Sequence, residues 1–197
     1  MADEPGSAEP KMALLLLDLQ RIVVESYGGT PEVLQAVGHA AAAARSSGTP
    51  VIYVVLDFRA GHPEISPRNR TFAGIKAAGL FSGPSDGFQI HDAIAPQDGD
   101  IVVVKKRISA FAGNDLDLLL RAQGIDTLAL CGVATSGVVL STALDAADRD
   151  YDVQVLEDGC GDTDPVLHRV LLDKVLGRRG TVRTTAEWIA ERTNART

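Results

Sequence analysis

The sequence predicts a three-layer α/β fold, in which helices cover both faces of a parallel sheet. Short apolar segments alternate with helical segments along most of the 197 residues, a length that fits one domain. The apolar segments are continuous runs, which are typical of parallel strands buried on both faces. The six candidate strands are Met12–Leu17, Val51–Leu56, Ile101–Val104, Thr127–Cys131, Val153–Leu156 and Thr181–Thr184.

The helical segments between these strands have recognisable starts. Thr30 before Pro31 predicts an N-cap with proline in the first turn of a helix that ends near Gly48. The other predicted helices are one with its N-cap at Asn114, one from about Gly137 to Asp148, one after Asp164-Pro165, and a short last helix with Trp188 and Ile189.

One long stretch, Asp57–Asp98, interrupts the alternation. It is rich in Gly, Pro, Ser and Arg, and only a weak helix is predicted in it, around Phe72–Ala78. A loop this long inside a compact domain is usually functional. We therefore expect it to form a wall of the substrate pocket.

Composition excludes several classes of function. A net charge of −7 and a pI of about 5.0 argue against a general nucleic-acid or anionic-membrane binder. Two cysteines make neither a disulfide framework nor a zinc quartet, and a cytoplasmic location is expected. Residues 1–11 are predicted to be a loose tail before a single domain, 12–197. No nicotinamide, flavin or nucleotide signature is present, so no cofactor is expected.

Chemically capable side chains follow the carboxyl ends of the predicted strands. In chain order they are Asp18 with Gln20, Asp57 to Arg59, Lys105 with Lys106, the turn from Gly132 to Gly137, and Asp158 with Cys160. In doubly wound folds these ends share one ligand-binding edge. An acid facing a lysine can move a proton, and a helix N-terminus offers free N–H groups to negative charge. Each residue taken singly also fits a cap, a tight turn or a solvated edge.

Two segments carry a resemblance to a known family. LLLLDLQ, and VVVKKRISAFAGNDLDLLLRAQGIDTLALCGVATSGVVLSTALDAADRDY, resemble the isochorismatase-like hydrolase superfamily, also called the cysteine hydrolases, from Met12 to about Val182. The resemblance implies a doubly wound six-stranded parallel sheet and a homodimer or homotetramer. It also implies Asp18 as the catalytic acid/base, Lys105 as its partner, and a cis peptide at Val133–Ala134.

The sequence departs from the family at the nucleophile. The family turn reads Gly-Val-x-Thr-x-x-Cys-Val, and Val138 occupies the cysteine position. A valine cannot attack a carbonyl, so the covalent route of the family's amidohydrolases is predicted to be closed. The Asp-x-His metal pattern of the nicotinamidases is also missing, since Phe58-Arg59 follows Asp57, and no metal is expected.

The resemblance leaves a route that needs no nucleophilic side chain. Isochorismatases, which also lack the cysteine, hydrolyse a vinyl ether: the aspartate protonates the enol carbon and water adds. Asp18 would need a raised pKa for this, whereas Lys105 would lower it. Arginines suit carboxylate recognition, which favours an acidic small-molecule substrate, although surface charge explains them equally well. The predicted substrate-binding residues are Gln20, Phe58, Arg59, Arg68, Arg70, Phe111, Val133, Ala134, Thr135, Ser136, Gly137 and Val138.

Two other functions stay open at this point. A catalytically inactive relative that binds a small molecule or a partner fits the loss of the cysteine. An amidohydrolase with another nucleophile would have to use Cys131 or Ser136. We expect Cys131 to be a buried core thiol, and we find no histidine base for Ser136 in the sequence. Cys160, between Asp158 and Asp162, is expected to have a raised pKa.

Overall fold

The six predicted strands form one parallel sheet in a computed structural model that describes residues 11–82 and 89–194. The sheet order is β3-β2-β1-β4-β5-β6, with every neighbouring pair parallel. The strands are β1 (Met12–Leu17), β2 (Val51–Leu56), β3 (Ile101–Lys105), β4 (Thr127–Val133), β5 (Asp152–Gly161) and β6 (Thr181–Arg183). The predicted fold class is confirmed.

Helices cover both faces of this sheet. They are α1 (Arg21–Ser26), α2 (Pro31–Ser46), α3 (Arg70–Ala78), α4 (Leu116–Ala122), α5 (Leu140–Ala147), α6 (Pro165–Val170) and α7 (Thr185–Asn194). One apolar core takes its helical side chains from α1, α2, α3 and α7, and the other takes them from α4, α5 and the turns after α6. β1 serves both cores, because Leu14 and Leu16 face the first while Leu15 and Leu17 face the second.

Element boundaries differ from the predictions at a few places. β5 continues past Leu156 to Gly161, since a register shift in β4 lets Cys160 and Gly161 pair with the end of that strand. The cap of α4 is Asp115 rather than Asn114, whose side-chain oxygen accepts a hydrogen bond from the N–H of Leu116 at 3.0 Å. A π-helical turn, Thr135–Val139, precedes α5 and lengthens the helix predicted from Gly137.

The chain reverses its direction of travel across the sheet between β1 and β4. Ligands bind beyond the carboxyl ends of the strands at such a point. The two strands meet closely there: a Cβ on Gly132 would lie 2.4 Å from the carbonyl oxygen of its partner Leu17. Only glycine fits this approach, so the end of β4 is held against the end of β1, one residue before Asp18.

The stretch Asp57–Asp98 carries α3 and a short 3₁₀ helix, Asp92–Ile94, within its described part. Residues 83–88 of this stretch and residues 1–10 of the predicted tail lie outside the described residues. None of the helices in the described ranges has the length and apolar character needed to cross a bilayer.

Candidate active site

A cavity of about 170 Å³ lies at the carboxyl edge of the sheet, beyond the ends of β1 and β4. Three strand ends reach it, namely Leu56 of β2, Lys105 of β3 and Val133 of β4, and Asp18 follows β1 directly. Of the predicted site residues, the structure brings six to this cavity: Asp18, Lys105, Val133, Ala134, Gly137 and Val138.

Asp18 and Lys105 form a buried ion pair at the base of the cavity. Lys105 Nζ lies 2.8 Å from Asp18 Oδ2, and only 1% of the lysine side chain is exposed. The same ammonium donates to the backbone oxygens of Arg107 at 2.9 Å and Ile108 at 2.8 Å. Three acceptors therefore engage the three protons of the ammonium.

The second oxygen of the Asp18 carboxyl, Oδ1, is buried and has no hydrogen-bond partner. Burial raises the pKa of this carboxyl above its ordinary value, and the opposing effect of the Lys105 ammonium is smaller. The sequence left these two influences unresolved, and the structure gives burial the larger part. Asp18 also has a φ of +52°, a left-handed conformation that non-glycine residues adopt rarely and often at functional sites.

The turn after β4 forms the side of the cavity beside this pair. The peptide bond between Val133 and Ala134 is cis, as the family resemblance predicted. Val138, which the sequence resemblance predicts at the position of the family cysteine, lines the cavity and is 2% exposed. The base and side of the cavity thus present the carboxyl of Asp18 and the methyl groups of Val138.

The N–H groups that open this turn are already engaged, contrary to the expectation of free donors. The Ser136 N–H donates to Asp162 Oδ2 at 2.8 Å, and the N–H groups of Gly137 and Val139 donate to the carbonyl of Ala134. A carboxylate of the chain itself therefore occupies the N-terminal end of this helix.

Three predicted contact residues lie away from the cavity because they have structural partners. Gln20 is fully buried, and its side-chain amide bonds both the N–H and the C=O of Leu56. Phe58 packs with Phe72 behind the wall. Phe111 belongs to the core on the opposite face of the sheet, where it stacks on Tyr151.

The predicted arginines do not line the cavity either. Arg59 is paired with Glu64 at 2.8 Å, and three quarters of its side chain is exposed. Arg68 and Arg70 are exposed residues before and at the start of α3. Their positions give no support to the expected recognition of a substrate carboxylate.

Thr135 and Ser136 also point elsewhere. The Thr135 hydroxyl is fully buried and contacts the carbonyl of Gly161 and, at 2.8 Å, Nδ1 of His168. Burial, together with the neighbouring Arg169 cation, lowers the pKa of His168. Sequence reasoning missed this pair, because nothing in a separation of 33 residues signals a contact. Ser136 is exposed beside Asp162 and does not reach the cavity.

Both thiols are buried in the cores and neither lines the cavity. Burial raises the pKa of Cys131 well above its ordinary value, and Cys160 and Asp158 add to the effect. The pKa of Cys160 is raised to about 12, with burial as the largest cause and its acidic neighbours as a smaller one. Neither group is suited to act as a thiolate nucleophile.

The remaining wall is apolar and was mostly missed by sequence reasoning. Val23 and Tyr27 come from α1 and its end, Ile75 comes from α3, and Phe81 and Ile108 come from loops. The length of the Asp57–Asp98 stretch predicted the part of the wall that holds Ile75 and Phe81, without identifying these side chains. No signal in the sequence indicated Val23, Tyr27 or Ile108. In the described part of the chain, no group of three or more His, Cys, Asp or Glu side chains could hold a metal ion.

Comparisons with known proteins agree with this geometry. Residues 12–187 match the family model described as the Isochorismatase domain. The uncharacterized isochorismatase family protein YecD from Escherichia coli O157:H7 is 33% identical over 178 residues, which cover 89% of this chain and 93% of the relative. The ureidoacrylate amidohydrolase RutB from Methylobacterium radiotolerans is 31% identical over 196 residues, covering 87% of this chain and 76% of the relative. The solved structure of an isochorismatase family protein from Desulfovibrio vulgaris has a TM-score of 0.84 at 28% identity, covering 92% of this chain and 98% of that one.

Proposed function

The chain belongs to the isochorismatase family of hydrolases, and we propose that it hydrolyses a small enol ether without forming a covalent intermediate. Asp18 is the general acid in this proposal, and Lys105 is its positioning partner. No side-chain nucleophile takes part.

The observation that carries the proposal is the unpartnered Oδ1 of Asp18. This oxygen is buried in a cavity whose other lining groups are mostly apolar, and burial raises the pKa of its carboxyl. A carboxyl whose pKa is raised by burial, and whose second oxygen has no protein partner, is suited to give a proton to a substrate carbon. Val138 beside it supports a route without covalent attack.

The reaction balances with water as the only co-reactant. Asp18 transfers its proton to the enol carbon, and the ether oxygen shares the positive charge of the resulting oxocarbenium ion. Water adds to the charged carbon and returns a proton to Asp18. The hemiketal then collapses to a ketone and an alcohol. General acid catalysis of this kind contributes about 10²–10⁴-fold in rate.

Lys105 has a distinct part in this scheme. Its ammonium is fixed by three acceptors, so it is held against Asp18 Oδ2 in one geometry. Once Asp18 has given up its proton, the nearby cation stabilises the carboxylate that remains. Lys105 therefore positions the acid and limits how far burial raises its pKa.

Amide hydrolysis is the second candidate, because the related RutB is named a ureidoacrylate amidohydrolase. The contacts around the cavity favour it less. The described thiols are buried away from the cavity, and the Ser136 hydroxyl lies outside it.

The test compares Asp18→Asn with Asp100→Asn, a matched change to another carboxylate that lies at the far end of β3. Both variants and the wild type are incubated in D₂O with small enol ethers and small amides, and products are analysed by mass spectrometry. We expect the ketone to carry one deuterium at the former enol carbon, and we expect only Asp18→Asn to lose turnover. Amide turnover, or enol-ether turnover that survives in Asp18→Asn, would contradict the proposal.

A further inference from the structure

We infer that the cavity selects an uncharged substrate about the size of one six-membered ring and rejects the corresponding carboxylate. This inference rests on the proposed function for the reaction itself, and it adds the chemical class of the substrate. It differs from the expectation of an acidic substrate that the arginine-rich sequence suggested.

No cation that lines the cavity in the described residues is free to bind a substrate anion. Lys105 is the one lysine or arginine in the lining, and its three ammonium protons are engaged by Asp18 and two backbone carbonyls. The neighbouring Lys106 donates instead to the carbonyl of Asp57 at 2.5 Å. Residues 83–88, GPSDGF, contain no lysine, arginine or histidine in the sequence.

Three backbone donors of the turn beside the cavity are also occupied. Asp162 accepts from the Ser136 N–H, and the Ala134 carbonyl accepts from the N–H groups of Gly137 and Val139. Asp162 places a negative charge at this helix end, where a substrate carboxylate would otherwise find a favourable field. A carboxylate in the cavity would therefore lose its water without gaining a free cation to replace it.

The volume and the lining of the cavity indicate which neutral ligand fits it. The cavity volume is about 170 Å³, and an apolar protein cavity of about 150 Å³ is enough to hold benzene. Leu56, Phe72, Ile75, Phe81 and Ile108 give this cavity aliphatic and aromatic walls. One ring with a small ether substituent fits both the volume and the surface.

Three ligands of matched shape test the inference on the full-length wild-type protein. They are methoxycyclohexane, its ring carboxamide and its ring carboxylate, and binding is measured by calorimetry and NMR titration. The carboxamide and the carboxylate have nearly the same size, so their difference isolates the charge. We expect both neutral ligands to bind at least about tenfold more tightly than the carboxylate.

A substitution at the cavity rim sharpens the test. Thr71 lines the cavity and is exposed, so Thr71→Arg adds a guanidinium without disturbing the core. We expect this variant to bind the carboxylate about tenfold more tightly than the wild type does. Arg68→Ala and Arg70→Ala, which change arginines outside the cavity, should leave the affinities for all three ligands unchanged.

Binding of none of the ligands, equal or tighter binding of the carboxylate, or weaker carboxylate binding in the two alanine variants would each overturn the inference. Turnover is measured separately with the enol ethers that correspond to these saturated ligands. The proposed hydrolysis and the proposed selectivity can therefore fail independently. Neutral binding without turnover overturns the proposed hydrolysis and leaves the selectivity intact. Turnover that prefers the carboxylate overturns the selectivity and leaves the hydrolysis intact.

Discussion

A buried carboxylate is paired with a cation near each end of β3. At the start of the strand, Asp100 accepts from Arg45 through both oxygens, at 3.2 and 2.6 Å, and Oδ2 also accepts from the Gln97 N–H. At the other end, Lys105 pairs with Asp18 through Oδ2 alone, and Oδ1 has no partner. One carboxylate is saturated with donors, whereas the other keeps an oxygen for a ligand.

This difference separates a structural ion pair from a reactive one. An unpaired buried polar atom destabilises the fold, so it persists where another role requires it. Asp100 is buried, but its bidentate contact leaves little capacity for chemistry.

Asp18→Asn should give the largest effect, a loss of about 10²–10⁴-fold in enol-ether turnover, since the amide cannot act as a general acid. Steady-state kinetics measure it, and Asp100→Asn should retain the wild-type kcat/KM. A similar loss in both variants would mean that the two carboxylates share a structural role.

Lys105→Met should lower the free energy of unfolding by about 3–5 kcal/mol at neutral pH, because it leaves Asp18 buried without its cation. The carbonyls of Arg107 and Ile108 lose a donor as well. Without Lys105 the pKa of Asp18 rises further, so the loss of stability should shrink as pH falls and the carboxyl becomes neutral.

Urea unfolding of Lys105→Met at several pH values tests this prediction. A pH-independent loss, or a loss below about 1 kcal/mol, would show that the pair resembles an exposed ion pair.

Asp100→Asn should lower the free energy of unfolding by less, about 1–3 kcal/mol, because the remaining cation is partly hydrated. The Arg45 side chain is 22% exposed, and it keeps its contact with the Tyr53 hydroxyl. Thermal unfolding of Lys105→Met and Asp100→Asn, measured side by side, shows which variant loses more stability. Greater destabilisation of Asp100→Asn than of Lys105→Met would contradict the contrast between the two ion pairs.

The pH dependence of turnover should report the Asp18 pKa. The reactive form is protonated, so kcat/KM should fall about tenfold per pH unit above the raised pKa. Stability should depend on pH in the same direction. The folded state favours the protonated Asp18 carboxyl, so its contribution to the free energy of unfolding is present at low pH and is lost as pH rises through the folded pKa. A rate that increases with pH over this range would indicate a base instead.

Val138→Cys should give the smallest effect, a single new reactive thiol in the folded protein. Cys131 and Cys160 are buried and have raised pKa values, so the native wild type should resist methyl methanethiosulfonate. Mass spectrometry should find one adduct in the variant. An unmodified variant would show that position 138 does not face the cavity.

The sheet and the acid–lysine pair could be predicted because each depends on a pattern that is local in the sequence. Continuous apolar runs define β1 to β4, and Asp18 and Lys105 lie at strand ends, whose relative positions the fold class determines. The walls could not be predicted in this way. Phe111 and Phe81 are both aromatic loop residues, yet one packs in the far core and the other lines the cavity. The conformation of the loop determines whether such a residue packs in the core or lines the cavity.

Gln20 determines which positions an engineer of this cavity can vary. Its side-chain amide donates to the carbonyl of Leu56 at 2.9 Å and accepts from the same residue's N–H at 2.7 Å. A glutamate cannot donate when ionised, and a methionine does neither, so conservative replacements do not reproduce this clamp. Since Gln20 joins the segment that carries Asp18 to the cavity wall at Leu56, a mutagenesis library for new substrates should hold residue 20 constant. Diversity belongs at rim positions such as Thr71, where the backbone does not depend on the side chain.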